Sequence, residues 1–286
     1  MKADREKTSN MTVIGNFSEI SSLCKNAQVD RIVVALDERR GTLPVEELLG
    51  CRLKGIQVDD GVAFSEHLSG KLSVENLRPS SLIFSNHFKR SAIYKGIKRS
   101  VDRLSSVLGL AISSPALLLI ALAIKWDSPG PVLYRQERVG EDGKGFELLK
   151  FRSMRVDAEA NGPVWAMRED TRVTRVGRII RKLRLDEIPQ MLNVLRGEMS
   201  FVGPRPERPF FVERLKREIP FYTHRHSVVP GITGWAQIYY PYGASKEDAQ
   251  EKLKYDLYYI KHASLLMDLT IILETFKIIL LGRGAR

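Results

Sequence analysis

Asp186 and Glu187 are neighbouring carboxylates inside the stretch LRLDEIPQMLNVLRGEMSFVGPRPERP, residues 183–209. The pattern predicts a helix here that approaches Pro189, and successive helix residues point about 100° apart. The two carboxylates would not share one proton as a facing pair does. They suit separate roles, one attacking an electrophile and the other holding a cation. A magnesium ion takes one or two carboxylates and completes its shell with phosphate oxygens. A carboxylate that attacks phosphorus gives an acyl phosphate, dividing a hard transfer into two easier ones. Taken alone, an Asp-Glu dipeptide is more often solvated surface.

The neighbourhood argues for chemistry. Arg172, Arg175, Arg178, Arg181, Lys182 and Arg184 lie just upstream, and Arg205 stands downstream between Pro204 and Pro206. Flanking prolines restrict the backbone on both sides, so Arg205 is expected in an extended, pre-set geometry. A rigidly presented guanidinium suits bidentate contact with phosphate. The upstream run falls on several helix faces, so part of it is expected to attract anionic headgroups instead. His224 and His226, two apart in a basic loop, read as structural and are assigned no role. Trp235, Tyr239 and Tyr240 suit either a membrane interface or stacking on a base or sugar.

The chain has 286 residues, 43% hydrophobic and 28% charged, which is globular composition. Its formal charge of +11 is unevenly placed, because residues 1–90 carry 13 Lys/Arg against 12 Asp/Glu. Nearly all the excess therefore lies in residues 91–286, which points to an anionic partner: nucleic acid, anionic lipid or a phosphorylated substrate. Cys24 and Cys51 have no CxxC or Cys/His neighbourhood, so neither a zinc site nor a disulfide framework is expected, and a reducing compartment fits. The polar start MKADREKTSN shows no signal peptide.

Short apolar runs alternate with helical segments over the first part. MTVIG, RIVVAL and IQVDDG read as buried parallel strands, and SEISSLCKNA and LPVEELLGC as helices, a small α/β unit. No GxGxxG adjoins the first strand, so packing or oligomerisation is favoured there over nucleotide binding. Residues 104–124 then run 21 positions without a charge, about 31 Å of helix at 1.5 Å per residue and nominally enough to cross a bilayer core. A buried soluble helix and a straight spanning helix are the competing readings. Against straight spanning stand Pro115 in the middle and basic residues on both flanks: Lys95, Lys98, Arg99 and Arg103 before, Lys125, Arg135 and Arg138 after. Positive flanks ask for both ends on the cytoplasmic side. The expectation is a re-entrant membrane helix over about residues 99–125, broken at Ser114–Pro115, with Ser113 or Ser114 bonding the carbonyl that the proline frees.

PVLYRQERVG and FELLKFRSM read as the strands of a β-hairpin around EDGKG. Helices are expected around 172–196 and 207–217. The tail is helical too, and Asp268, Glu274 and Lys277 argue against a second span there. It fits either an amphipathic helix in the membrane interface or one packed on the core.

SPALLLIALAIKWDSPGPVLYRQERVG, LLKFRSM, the 183–209 stretch and PGITGWAQI, in this order, resemble the bacterial sugar transferases of exopolysaccharide assembly. These are the monotopic polyprenyl-phosphate phosphoglycosyl transferases, and the resemblance covers about residues 90–286. It implies that Asp186 is the nucleophile on the β-phosphate of a nucleotide diphosphate-sugar, expected to be a UDP-sugar. Glu187 would help bind Mg²⁺, and Arg205 would contact phosphate. Lys150, Arg152 and Arg181 match further basic positions of the active site, and Ser114–Pro115 matches the helix break. Polyprenyl phosphate would then take the phosphosugar, at the cytoplasmic face of the bacterial inner membrane. Many relatives have Ser or Thr where Arg184 stands.

The fold expected is a partial, CoA-binding-like Rossmann remnant over 1–88, with a strand edge exposed and a homodimer contact possible there. A mainly helical α+β monotopic catalytic domain with the re-entrant helix and small hairpin follows over 89–286. The different-class alternative is a non-catalytic, membrane-attached scaffold of a polysaccharide assembly complex, in which Asp186 and Glu187 are dispensable. A nucleic-acid-binding role is disfavoured, because it leaves the uncharged segment unused and no binding module is present.

Overall fold

A computed structural model describes residues 13–26, 29–36, 42–72, 91–158, 170–240, 243 and 245–281. The chain divides into two compact units, Met1–Ser69 and Gly70–Arg286. The hairpin turn, both halves of the site motif and the long apolar segment all fall in the second.

In the first unit a 3₁₀ turn, Phe17–Glu19, leads into α1 (Ile20–Asn26), β1 (Arg31–Val34), α2 (Val45–Leu53), β2 (Gln57–Asp60) and α3 (Gly61–Ser69). β1 and β2 pair in parallel, Arg31 opposite Gln57, with α2 as the crossover. The strand expected over residues 11–15 is not formed where it can be described: Val13–Gly15 is irregular, and Val13 and Ile14 are exposed. Among the described residues the unit is α/β with one two-stranded sheet, short of a full Rossmann-like sheet.

The second unit opens with α4, a 36-residue helix from Ala92 to Asp127, the one described helix long and apolar enough to cross a membrane. Leu104, Val107, Leu108, Ile112, Leu118 and Leu119 are exposed along it. The expected break does not interrupt it, since the segment stays helical through Pro115. The proline leaves the Ala111 carbonyl without its N–H partner, and the Ser114 hydroxyl donates to that carbonyl at 2.8 Å. Ser113 Oγ likewise donates to Gly109 O at 2.6 Å.

Both ends of α4 are fixed to this unit. Near its start Lys98 Nζ lies 2.8 Å from Asp268 Oδ2, and Asp102 Oδ1 accepts from Phe201 N–H at 3.3 Å. Near its end Ile124 is buried with Phe151 and Ile180, and Asp127 Oδ2 accepts from Val176 N–H at 3.0 Å.

After α4 come β3 (Leu133–Val139) and β4 (Gly145–Phe151), the expected hairpin, with Leu133 opposite Phe151 and a turn at Glu141–Gly143. The chain reverses tightly between them, with Asp142 and Gly143 both at positive φ. The helix expected over 172–196 divides into α5 (Arg175–Lys182), a 3₁₀ turn at Leu185–Glu187 and α6 (Gln190–Arg196). The division falls at Arg184, whose backbone is left-handed at φ 57°, so the α-helical ladder cannot continue through it.

β5 (Ser200–Val202) and β6 (Gly231–Thr233) pair in parallel, with α7 (Pro209–Glu218) between them. α8 (Trp235–Tyr239), α9 (Lys246–His262) and α10 (Leu265–Leu280) complete the unit. The main core gathers α7, α9 and α10 around Val202, Leu215, Leu253, Tyr259 and Ile271. Burying each such side chain is worth roughly 1.5–3 kcal/mol. α10 packs one face on the core, through Asp268 and Ile271, and leaves Leu266, Leu269, Leu273, Phe276 and Leu280 exposed. Trp235 is tied into the fold by its indole N–H, 2.7 Å from Gly70 O, and Tyr240 donates to Asp248 at 2.7 Å.

One glycine sets how closely α5 approaches the segment that follows β4. A Cβ on Gly177 would stand 2.0 Å from the Ser153 carbonyl oxygen, a backbone atom that cannot turn aside. Gly177→Ala is expected to cost about 1–3 kcal/mol, the usual range for overpacking, read as a lowered thermal unfolding midpoint.

Candidate active site

Three separate segments meet around the carboxylates. The first is the turn that carries them. Leu185 packs with the Ile124–Phe151–Ile180 cluster and anchors it. Asp186 and Glu187 therefore lie on a 3₁₀ turn and not on an α-helix. At three residues per turn their side chains still diverge, by about 120°. The second segment is β4, which supplies Lys150, its Nζ 5.2 Å from the Tyr134 ring centroid. Asn193 of α6 holds this strand in place: its Oδ1 accepts from Leu149 N–H at 3.0 Å and its Nδ2 donates to Glu147 O at 2.7 Å. The third is the loop after β5, which brings Arg205 Nη2 to 2.6 Å from Glu187 Oε1. Arg184 Nη1 addresses the same oxygen from 3.7 Å.

The surroundings drive the two carboxylates apart in acidity. Burial and the adjacent Glu187 charge push Asp186 up to about 6, against the pull of Lys150, Arg181 and Arg205. Burial also opposes ionisation of Glu187, but Arg205 and Arg184 outweigh it and hold this carboxyl below its ordinary range. Lys150 is pushed down to about 8 by burial and by Arg138, with Asp186 pulling the other way. Two carboxyl groups separated in this manner take different parts in a reaction. Asp186 is the less stabilised anion, and Glu187 is the one whose charge its arginine neighbours favour.

Asp186, Glu187, Lys150, Arg181 and Arg205 thus come together, and Arg152 does not. The Arg152 guanidinium donates to the carbonyls of Pro129 at 2.9 Å and Ser128 at 2.7 Å, where it caps the end of α4. His226 is buried against Tyr222, and burial with the Arg225 charge lowers its pKa to about 4, leaving it neutral. Sequence reasoning took Arg138 only as a basic flank of the apolar segment, whereas it donates to Pro206 O at 3.1 Å and meets Glu207 at 3.0 Å. The alternation of β3 offered a signal, since Tyr134, Gln136 and Arg138 share a face. Arg225 was passed over with the histidines beside it, and nothing local marks it.

For a cation the fit is partial in an informative way. No three His, Cys, Asp or Glu side chains converge among the described residues. Both arginines address Oε1 of Glu187. One or two carboxylates suit magnesium delivered with phosphate oxygens, and not an all-protein cage.

Residues 93–282 match the family described as bacterial sugar transferase. The chain belongs to that family. Among its relatives is the UDP-N-acetylgalactosamine-undecaprenyl-phosphate N-acetylgalactosaminephosphotransferase of Aeromonas hydrophila, 46% identical over 239 residues, or 84% of this chain and 56% of the relative. The UDP-glucose:undecaprenyl-phosphate glucose-1-phosphate transferase of Escherichia coli K12 is 36% identical over 266 residues, 91% of this chain and 57% of the relative. The exopolysaccharide production protein PSS of Rhizobium leguminosarum is 42% identical over 188 residues, 63% of this chain and 92% of that protein. The sugar transferase chain thus spans just over half the length of the first two. The matched region contains every residue of the carboxylate–arginine site and the whole of α4 from Ile93 onward.

Proposed function

We propose that this bacterial sugar transferase moves a sugar-1-phosphate from a UDP-sugar to a polyprenyl phosphate, initiating an exopolysaccharide repeat unit. The observation that carries the proposal is the buried Asp186 carboxylate, raised to about 6 and ringed by Lys150, Arg181 and Arg205. In the first step an Asp186 oxygen attacks the β-phosphorus of the donor. The new O–P bond forms as the bridging P–O bond breaks, and its electron pair leaves on UMP. The polyprenyl phosphate oxygen then attacks the same phosphorus, and the departing electron pair restores the Asp186 carboxylate. Arg205, Arg181 and Lys150 oppose the charge that builds on the phosphoryl oxygens, which is the main contribution a protein makes to such transfers. Bound magnesium would neutralise diphosphate charge, and Glu187 is the residue proposed to hold it.

The proposed membrane placement draws its support from α4. Both its ends are tied to the same unit through Lys98–Asp268 and Ile124, its middle is exposed and apolar, and both flanks are basic. These support a helix that dips into one leaflet from the cytoplasmic face and returns, bringing a lipid phosphate to a water-soluble nucleotide. The test is UMP release by detergent-purified protein with polyprenyl phosphate, Mg²⁺ and a panel of UDP-sugars that includes UDP-N-acetylgalactosamine and UDP-glucose. Release with one donor supports the reading. No release with any donor from folded protein favours the scaffold.

Because Asp186 must be ionised to attack, kcat/KM for UMP release is expected to fall below pH about 6. Lys150 lowers the pKa of Asp186, so in Lys150→Met the acidic limb of the profile is expected to move to higher pH.

A further inference from the structure

The Pro-Arg-Pro loop is held almost entirely by its carbonyl oxygens. Gly231 N–H donates to Pro204 O at 2.9 Å, Arg225 Nη2 to Arg205 O at 2.9 Å, Arg138 Nη1 to Pro206 O at 3.1 Å and Val139 N–H to Glu207 O at 2.9 Å. Pro204 and Pro206 have no N–H with which the loop could tie itself down. Four successive peptides are therefore fixed from outside, and Arg225 is the residue that grips the peptide of Arg205.

Arg225 is itself over-determined. It is buried, and Asp256, buried as well, accepts on one oxygen from Nε at 3.0 Å and Nη2 at 2.8 Å. Nη1 donates to Tyr222 OH at 3.1 Å. A buried ion pair is seldom needed for stability, because apolar residues of similar volume commonly replace it at little cost. Stability alone thus gives a weak reason for a buried guanidinium here, whereas its bond to Arg205 gives a specific one. The planar fork reaches Asp256, Tyr222 and Arg205 together, a task that a single ammonium point charge does poorly.

We infer that Arg225, locked by Asp256, is a positioning residue that sets the reach of the Arg205 guanidinium towards the donor diphosphate. The inference rests on the transferase reading above. Arg225 touches no reacting atom; it acts through the Arg205 backbone.

A double-mutant cycle on UMP release tests it. Arg205→Ala is expected to lower kcat/KM roughly 100-fold or more, as for loss of a donor to a developing oxyanion. Arg225→Lys is expected to lower it roughly 10- to 100-fold through misplacement, and Arg205→Ala/Arg225→Lys should be no worse than Arg205→Ala. Additive losses overturn the inference, because they mean that Arg225 acts independently of Arg205. Should Arg225→Lys unfold, Arg225→Met/Asp256→Leu removes the pair without leaving a lone buried charge. Wild-type kcat/KM in that folded variant also overturns the inference. A wild type that releases no UMP refutes the transferase reading instead, and amide hydrogen exchange in residues 203–208 then decides the clamp separately. Faster exchange in Arg225→Lys supports it, and unchanged exchange overturns it.

Discussion

Asp186→Asn is expected to reduce UMP release roughly a thousandfold or more, the scale of losing a covalent nucleophile, and to make the protein more stable. Both effects come from one fact, the burial of an ionised carboxylate beside Glu187. The folded-state pKa of about 6 lies above the unfolded value of about 3.9. The folded state therefore binds this proton more tightly than the unfolded state does. Ionisation of Asp186 is a liability that is complete above pH about 6 and absent below pH about 4. At 1.36 kcal/mol per pKa unit it amounts to at most about 3 kcal/mol. The Asn variant should unfold at higher temperature than wild type at pH 7–8, and the gap should close as the pH falls towards 4. Thermal unfolding in detergent at several pH values measures this. A stability gain paired with lost turnover is what strain at a functional carboxylate produces, whereas a solvated surface aspartate would give neither.

Asp268→Ala is expected to be the most destabilising of the changes considered, by about 3–5 kcal/mol, the usual consequence of stranding one member of a buried ion pair. Asp268 receives Lys98 Nζ at 2.8 Å, Tyr259 OH at 2.7 Å and Tyr94 OH at 3.2 Å. Its loss would leave an ammonium, nearly buried, without its counter-charge at the foot of α4. Tyr259 OH also donates to Val202 O at 3.2 Å, so the same cluster joins α4, α9, α10 and β5. Lys98→Met/Asp268→Leu should recover much of the lost stability, because an apolar pair of similar volume carries no unpaired charge. Chemical unfolding of the two variants against wild type checks the order. An Asp268→Ala variant as stable as wild type would mean that the cluster does not hold α4 to the unit.

Much of the second unit is legible in the sequence because its signals are local. Twenty-one uncharged residues announce α4, and the alternation on either side of EDGKG announces the hairpin. Asp186, Glu187 and Arg205 stand out because carboxylates and a proline-locked arginine are unusual inside an apolar, basic stretch. Other features are illegible for physical reasons. The left-handed backbone of Arg184 cannot be read from a residue type that is ordinary within helices. It nonetheless decides that the carboxylates sit on a 3₁₀ turn. Arg152 has the composition of a phosphate ligand, yet its guanidinium caps α4 through Ser128 and Pro129. Only tertiary geometry tells these uses apart. The Arg225–Asp256 pair joins residues 31 positions apart, with no periodicity linking them. In the first unit, the apolar pattern of MTVIG suits a strand, yet Val13–Gly15 is irregular.

The central claim is that Asp186 carries the phosphosugar between donor and lipid. Intact-mass and peptide mass spectrometry of the protein after incubation with its UDP-sugar and Mg²⁺, with polyprenyl phosphate withheld, tests it most directly. A single sugar-phosphate adduct on the peptide containing Asp186, removed when polyprenyl phosphate is added, is the expected result. UMP release that needs the lipid acceptor and leaves no adduct would contradict it, and would make the transfer a direct one between donor and lipid.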